Sequence, residues 1–243
     1  MIGLGVTGTD TGVGKTVIST ALLALLHRRS LRVAGMKPVE TGVAVGDPES
    51  DAARLRAAAG GTDPMDDVCP IVLPEPLAPW IAARRANTRV NLERLDRAFV
   101  RLCGGRDVVV VEGAGGLLVP LTRVVAFDDL FRRWKLEVVV VAGNRLGVLN
   151  HALLTVRAAR ASGLPVRGVV LNQLSAACPG TAERTNRDAL VELLPDVPVV
   201  TFPWVSDPRD HNRLVSAAEA SGLAELLPAV SGPPPGTAGQ PEG

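Results

Sequence analysis

The stretch that most constrains this chain is GTDTGVGKT, from Gly8 to Thr16. A short apolar run at residues 2–6 precedes it, and an apolar helical pattern at residues 17–26 follows it. A glycine-rich loop between a strand and a helix turns backbone N–H groups toward an anion at the positive end of the helix. The stretch therefore predicts a phosphate-binding loop, in which Lys15 reaches the β- and γ-phosphates of a nucleotide and the Thr16 hydroxyl binds Mg²⁺.

The spacing of this loop differs from the common pattern G-x-x-x-x-G-K-[ST]. Thr9 stands where the first glycine is expected, and the glycine is one residue earlier, at Gly8. The loop is therefore one residue longer than the common form. A glycine-rich turn without a ligand is the alternative, but its place at the start of an alternating α/β pattern favours a nucleotide site.

Apolar runs and helical patterns alternate along the rest of the chain. The run DVVVV at residues 107–111 is typical of a strand buried on both faces of a parallel sheet. Because strands and helices alternate, we expect a three-layer α/β/α fold of the P-loop NTPase kind, with a mostly parallel central sheet. Further strands are predicted at residues 32–36, 137–141, 166–171 and 197–202, and helices at residues 51–59, 80–85, 92–102, 127–134, 148–161, 181–194 and 211–227.

The domain organisation follows from the same pattern. No internal repeat or clear linker interrupts the alternation, so a single domain is predicted over residues 1–228. The Pro- and Gly-rich residues 229–243 are predicted to form a disordered tail.

The composition argues against several classes of partner. Lysine and arginine number 26 against 25 aspartates and glutamates, a net charge of +1, so neither nucleic acid nor an anionic membrane is expected as a partner. No apolar run is long enough to span a bilayer, and no signal peptide precedes the first strand. The three cysteines form no C-x-x-C pair and are expected to be thiols in a reducing compartment. We therefore expect a cytoplasmic protein that acts on small molecules.

Ligands of parallel α/β sheets bind at the carboxyl ends of the strands, which directs attention to the residues that follow each apolar run. Glu112 follows DVVVV and is predicted to organise Mg²⁺, with a loop or helix-capping carboxylate as the alternative. Lys37 ends a strand that we expect to lie beside the P-loop strand, so that it points into the same cleft as Lys15; a surface lysine is the alternative. Asp51 stands at a predicted helix start, where a simple helix cap is an equally open reading.

Blocks of sequence along most of the chain carry a resemblance to a known family. In chain order they read TGTDTGVGKT, AGMKPVETG, SDAARL, EPLAPWIAA, VVVVEGAGGLLVPL, GNRLGVLNHALLT, GVVLNQ and FPW. Their order and spacing are much more specific than the phosphate-binding loop alone. On these blocks the chain resembles the dethiobiotin synthetase family, in which the longer loop is also a regular feature.

The resemblance implies an activity as well as a fold. Members of the family join CO₂ to 7,8-diaminopelargonic acid and close a ureido ring with consumption of ATP, usually as homodimers. The diamine forms a carbamate, a carbamate oxygen attacks the γ-phosphate to give a carbamic–phosphoric anhydride, and the second amine closes the ring and expels phosphate. Because carbamate and triphosphate are both anionic, the site needs the positive charge that Lys15, Lys37 and Mg²⁺ would supply.

The resemblance also implies roles for individual residues. Catalysis is expected from Lys37, Lys15 and Thr11, and Mg²⁺ binding from Thr16, Asp51 and Glu112. The expected nucleotide contacts are Gly12, Val13, Gly14, Lys15, Thr16, Val17, Asp51, Glu112, Gly113, Ala114, Gly115, Asn172, Gln173, Pro203, Trp204 and Val205. The expected substrate contacts are Thr41 and, across a dimer interface, Gly147, Val148 and Asn150.

Two departures from the family pattern concern the nucleotide. Some relatives carry an acidic residue where this chain has Gly12, and many carry a pair such as Asn-Asp where it has Asn172 and Gln173. The second departure weakens the argument for strict adenine selection, so other nucleoside triphosphates stay open as substrates.

Two other functions remain as alternatives. A partitioning ATPase of the ParA/MinD kind carries an additional lysine near the start of the P-loop, where this chain reads Thr9-Asp10-Thr11. A synthetase of the cobyrinate-amidation kind carries an extra glutaminase domain with a nucleophilic cysteine, for which this chain is too short. Both are therefore less favoured than the ligase.

Overall fold

The computed structural model describes residues 1–227 of the chain. Within them the strands are β1 (Ile2–Gly8), β2 (Val33–Met36), β3 (Val39–Thr41), β4 (Ile71–Leu73), β5 (Val108–Gly116), β6 (Glu137–Gly143), β7 (Val166–Asn172) and β8 (Val199–Phe202). The helices are α1 (Lys15–Arg28), α2 (Asp51–Ala58), α3 (Met65–Val68), α4 (Pro79–Arg85), α5 (Leu92–Cys103), α6 (Phe127–Arg133), α7 (Val148–Ala161), α8 (Thr181–Leu193) and α9 (His211–Ala220). None of these helices has the length and apolar character needed to cross a bilayer.

A six-stranded parallel sheet forms the centre of the fold. Its strand order is β2-β5-β1-β6-β7-β8, and β3 and β4 pair separately as a small parallel ladder. All six long strands therefore end at the same edge of the sheet. Lys37 lies just beyond β2 and Asn172 ends β7 at this edge, whereas Glu112 lies within β5, one residue beyond its pairing with β2.

The valines of β5 show how the layers form. Val108 and Val110 pack into a cluster with side chains of α1 and α9 on one face of the sheet. Val109 and Val111 pack into a second cluster, with side chains of α5, α6 and α7, on the other face. All four valines are fully buried. Because successive side chains of a strand point to opposite faces, a run of valines is buried only between two helical layers. The predicted α/β/α architecture with a parallel sheet is confirmed.

One expectation about strand neighbours is wrong. Strand β2, which leads to Lys37, does not lie beside the P-loop strand β1, because β5 lies between them. The register of β2 on β5 pairs Met36 with Val111, so the next residues, Lys37 and Glu112, emerge side by side. Lys37 therefore reaches the P-loop region across β5, at the level of Glu112.

Other element boundaries differ from the sequence predictions. β5 continues through the glycines to Gly116, because that segment still pairs with β1 at Gly8. The last predicted helix ends at Ala220, and Gly222, with φ 73°, separates it from a short 3₁₀ turn at Leu223–Leu226. Helix α3 and strand β3 are too short for a periodic signal and were not predicted. The predicted tail at 229–243, together with residue 228, lies outside the described residues.

Candidate active site

The P-loop lies between Gly8, the last residue of β1, and Lys15, the first residue of α1. Gly12 and Gly14 have φ values of 75° and 89°, in the left-handed region that favours glycine. Gly14 directly precedes α1, and no side chain caps the start of this helix. The first N–H groups of α1 are therefore free to face an anion.

The Lys15 side chain is hydrogen-bonded within the P-loop. Its Nζ donates a hydrogen bond to the Asp10 carbonyl oxygen at 3.0 Å. The pKa of Lys15 is lowered to about 8, mainly by burial and secondly by the positive charge of Lys37. Two ammonium groups thus share one buried region, a costly arrangement unless negative charge accompanies them.

Lys37 is the centre of a buried charge cluster. Its Nζ donates to Glu112 Oε1 at 2.6 Å, to Asp51 Oδ2 at 2.8 Å and to the Gly113 carbonyl at 3.4 Å. Burial alone would lower the pKa of Lys37, but the two carboxylates outweigh it and hold the pKa above its ordinary value. The same ammonium keeps the pKa of Asp51 below its ordinary value against the opposing effect of burial. Lys37 is therefore charged, and the surface-lysine reading is wrong.

Glu112 is fully buried and only partly satisfied. Its Oε1 accepts from the Thr16 hydroxyl at 2.9 Å as well as from Lys37, whereas its Oε2 has no hydrogen-bond partner. A buried carboxylate oxygen without a partner carries a desolvation cost that a cation would offset. With the Thr16 hydroxyl and the Asp51 carboxylate nearby, the donors are all oxygen atoms, the ligands that Mg²⁺ prefers.

The number of protein donors bears on which metal fits. Among the described residues, no group of three or more His, Cys, Asp or Glu side chains is placed to hold a metal by itself. Mg²⁺ is usually bound through one or two carboxylates together with substrate phosphates, rather than by an all-protein cage. The arrangement of Glu112, Asp51 and Thr16 therefore fits Mg²⁺ that arrives with a nucleotide.

These residues line a cleft of about 460 Å³. Of the predicted site residues, the structure brings together Thr11, Gly12, Gly14, Lys15, Thr16, Lys37, Thr41, Asp51, Glu112, Ala114 and Gly115 along its walls. The cleft also contains residues that the sequence analysis did not single out as site residues, namely Glu40, Pro76, Leu77, Ala78, Pro79 and Val119. The block EPLAPW was a signal for the apolar part of this wall, in which Pro79 opens helix α4.

Asn172 is buried against the P-loop. Its Nδ2 donates to the Val13 carbonyl at 3.0 Å. A Cβ on Gly14 would lie 2.1 Å from that nitrogen, so glycine is required there for steric reasons as well as for its φ. Asn172 therefore supports the loop that surrounds the predicted phosphates.

The other residues predicted to surround the base lie on the next segment. Gln173 donates its backbone N–H to the Phe202 carbonyl at 3.0 Å, which joins the ends of β7 and β8. Pro203 and Trp204 are exposed, and Trp204 and Val205 line a shallow hollow of about 400 Å³ against α9. The structure places this group beside the P-loop edge of the sheet, outside the cleft that holds Lys37.

Three predicted substrate residues are not brought into the cleft. Gly147, with φ 92°, precedes α7, and Val148 and Asn150 lie in its first turn. Val148 is buried in the core, whereas Gly147 and Asn150 are exposed to solvent. None of the three lines the cleft that holds Lys37.

A parallel sheet, a glycine-rich loop that opens a helix, and a buried carboxylate hydrogen-bonded to the first threonine of that helix define a P-loop nucleotide-binding protein. A sequence family described as an AAA domain matches residues 3–207. The chain is 44% identical over 223 residues to the ATP-dependent dethiobiotin synthetase of Anaeromyxobacter dehalogenans strain 2CP-C, covering 92% of this chain and 99% of that protein. The chain belongs to the ATP-dependent dethiobiotin synthetase family, a family of ATP-dependent ligases.

More distant relatives carry the same name. The dethiobiotin synthetase of Thermodesulfovibrio yellowstonii is 39% identical over 216 residues, covering 84% of this chain and 90% of that protein. The enzyme of Bacillus subtilis strain 168 is 36% identical over 200 residues, covering 82% of this chain and 86% of that protein. The match therefore extends along nearly the whole length of these relatives.

A solved structure bears on the fold alone. The cell division ATPase MinD of Pyrococcus furiosus superposes with a TM-score of 0.50 at 19% identity, covering 89% of this chain and 88% of that one. The likeness supports the P-loop α/β fold.

Proposed function

We propose that this chain catalyses the Mg²⁺- and ATP-dependent closure of a ureido ring on 7,8-diaminopelargonic acid with CO₂, giving dethiobiotin, ADP and phosphate. The observation that carries the proposal is the contact between Lys37 and Glu112 beside the P-loop. A P-loop by itself needs one lysine for a nucleotide, whereas this cleft holds two. The second lysine is proposed to bind a second anion next to the γ-phosphate.

The nucleotide is proposed to bind along the P-loop. Backbone N–H groups of Gly12 to Val17 contact the phosphates, and Lys15 exchanges the Asp10 carbonyl for phosphate oxygens. Glycine at position 12, with nothing within 4 Å of an added Cβ, leaves open space on this side of the loop. Asn172, Gln173 and the segment Pro203 to Val205 are proposed to lie around the base.

Mg²⁺ is proposed to bind to Thr16, Asp51 and Glu112. When bound, it neutralises charge on the β- and γ-phosphates and so favours attack on the terminal phosphorus. Lys37 contacts two of these three donors, so the ammonium and the metal compete for the same carboxylates. With the metal on these carboxylates, the Lys37 ammonium would have fewer contacts with them and would be available for the second anion.

In the proposed reaction, the second anion is the carbamate. One amine of the diamine attacks CO₂ and loses a proton, which forms a carbamate between Lys37, Thr11 and Thr41. A carbamate oxygen attacks the γ-phosphorus and ADP leaves, giving the mixed anhydride. The second amine attacks the carbonyl carbon, the C–O bond to phosphate breaks, and phosphate leaves with the electron pair and takes up the proton that the amine loses. Lys37 stays charged throughout and stabilises the negative charge that both steps move.

The apolar wall of the cleft fits the hydrocarbon part of the substrate. Pro76, Leu77, Pro79 and Val119 all line the cleft. A short apolar surface beside a charged centre orders an amphipathic molecule by its two ends. The diamine end would lie at Lys37 and the chain along this wall.

A homodimer is proposed to complete the site. The exposed Asn150 and the N-terminus of the 14-residue helix α7 would bind the substrate carboxylate in the partner's cleft. Leu146 and Leu154, 85% and 57% exposed, flank this region and provide apolar area for such a contact. The free thiols of Cys69, Cys103 and Cys178 agree with a cytoplasmic location, which we also propose.

The proposal is tested by incubating the purified protein with diaminopelargonate, bicarbonate and MgATP. Dethiobiotin, identified by its mass, and phosphate are expected in equal amounts, and each requires all three reactants. Phosphate release that is independent of the diamine, with no dethiobiotin, would contradict the proposal and revive a nucleotide-switch function.

A further inference from the structure

Glu40 is a buried carboxylate next to the active site that the proposed reaction does not use. It is 4% exposed and lies in the middle of β3, where its backbone is fixed by pairing with Val72 of β4. Burial raises the pKa of Glu40, although two backbone N–H groups act in the opposite direction. A carboxylate at such a buried position carries a desolvation cost, which indicates a structural or functional role.

The contacts of Glu40 are with the start of α2. Its Oε1 accepts from the Asp51 N–H at 2.6 Å and its Oε2 from the Ala52 N–H at 3.1 Å. The Ser50 hydroxyl accepts from the Ala53 N–H at 3.1 Å, and the Ser50 carbonyl accepts from the Arg54 N–H at 3.2 Å. The N–H groups of Asp51, Ala52 and Ala53, which have no partner within the helix, are thus divided between a local cap, Ser50, and a distant one, Glu40.

Glu40 and Lys37 belong to one short segment and hold Asp51 from two sides. Lys37 contacts the Asp51 side chain at 2.8 Å, and Glu40 contacts the Asp51 backbone at 2.6 Å. Lys37 is itself fixed by its N–H, which donates to the Val68 carbonyl at 2.8 Å. The segment therefore sets both where Asp51 lies and which way its carboxylate points.

We propose that Glu40 is a positioning residue, which fixes Asp51 at the mouth of the P-loop so that its carboxylate meets the metal that accompanies the nucleotide. The inference rests on the proposed function, since it uses Asp51 as a metal donor. Without Glu40, α2 keeps its local cap, but the backbone of its first residue is no longer tied to β3, and only the side-chain contact with Lys37 holds Asp51. Asp51 then moves relative to Glu112 and Thr16, and shifts of about 1 Å at such sites lower rates by about 10²-fold.

The test compares Glu40→Ala with Ser50→Ala, because each removes a cap from the same helix end. Both variants are expected to show a lowered unfolding temperature. Three quantities are measured in wild type and variants. Electron paramagnetic resonance follows Mn²⁺ binding to the enzyme–ADP complex. ADP affinity is measured without metal, and turnover is measured as a function of Mg²⁺ concentration. Glu40→Ala is expected to weaken Mn²⁺ binding and raise the half-saturating Mg²⁺ concentration by about tenfold or more, with metal-free ADP affinity changed by less than about threefold. Ser50→Ala is expected to keep both metal parameters near the wild-type values.

A conservative variant protects the test against simple unfolding. Glu40→Gln keeps one acceptor oxygen for the Asp51 N–H and is expected to recover most of the metal affinity. Equal metal parameters in wild type and Glu40→Ala, or equal changes in Glu40→Ala and Ser50→Ala, would overturn the inference. Wild-type protein that forms no dethiobiotin in the same experiment would instead overturn the proposed function.

Discussion

Lys37 Nζ lies 2.6 Å from Glu112 Oε1, and the two side chains are only 4% and 0% exposed. Five residues earlier in each segment, just before β2 and β5 begin, Arg32 pairs with Asp107 at the opposite edge of the sheet. The parallel register of β2 on β5 therefore places an ion pair at each end of this strand pair, one at the surface and one in the active site. Since the register is fixed by burial of the valines, the site geometry follows directly from the core.

Replacement of Glu112 tests the buried end of this arrangement. Glu112→Gln keeps the shape of the side chain but removes the charge that faces Lys37 and the metal. We expect turnover to fall by about 10²–10³-fold. The free energy of unfolding should fall by about 3 kcal/mol, because breaking a buried ion pair leaves its partner less compensated. Urea denaturation and steady-state assays check both effects.

A matched control for that variant is Glu93→Gln, which neutralises an exposed glutamate of α5 that forms a surface pair with Arg97. It is expected to change stability by less than about 0.5 kcal/mol and to leave turnover unchanged. Comparable losses in the two variants would show that Glu112 matters only as one more negative charge.

Asn172 is expected to act on the phosphate loop as well as on the base. In Asn172→Ala the hydrogen bond to Val13 is lost and the loop gains freedom, so ATP affinity should fall about tenfold, from the loss of roughly 1.5 kcal/mol. Inorganic tripolyphosphate, which has no base, should lose a similar factor in isothermal titration calorimetry. If tripolyphosphate binds both proteins equally well, Asn172 serves the base alone.

The surface pair at the other end of the strands predicts a pH dependence of stability. Hydrogen bonds from the Arg32 side chain and backbone lower the pKa of Asp107 to about 2. A carboxyl whose folded-state pKa is depressed stabilises the protein above its unfolded pKa, near 3.8, and loses that contribution as pH falls toward about 2. Asp107→Asn, which keeps an acceptor for the Arg32 N–H, should therefore lose less stability than wild type between about pH 4 and pH 2. Thermal unfolding across this range gives the comparison, and parallel curves for the two proteins would refute it.

Mixing of two inactive variants tests whether the site is shared between subunits. Lys37→Ala removes one half of the proposed site and Asn150→Ala the other. If subunits exchange at random, half of the dimers contain both variants and each of these has one intact site, so about a quarter of the wild-type activity should return. No recovery after verified subunit exchange would mean that Lys37 and Asn150 of one subunit serve the same site, or that Asn150 does not contact the substrate.

Much of the fold could be predicted because its signals are local. The valine runs of β5 and β6 identify strands buried on both faces, and the glycines of the P-loop identify a helix start. The place of β2 in the sheet could not be predicted, because strand order depends on how helices pack across the sheet. Neither could β3, whose three residues carry no periodicity.

The site shows the same division. Lys15, Lys37 and Glu112 could be singled out because each follows a strand or opens a helix. Glu40 could not, because its importance depends on contact with α2, eleven residues further along the chain. Nor could the loop contact of Asn172, which joins residues 159 apart in sequence.

The central claim is that Lys37 serves a second anion, separate from the nucleotide. The most direct measurement determines ATP affinity and turnover on one preparation of Lys37→Ala, with folding confirmed by circular dichroism and with Mg²⁺ present to supply positive charge to Glu112. ATP affinity should stay within about threefold of wild type, while dethiobiotin formation falls by at least about 10²–10³-fold. An equal loss of ATP binding and turnover, or turnover that survives the substitution, would contradict the account.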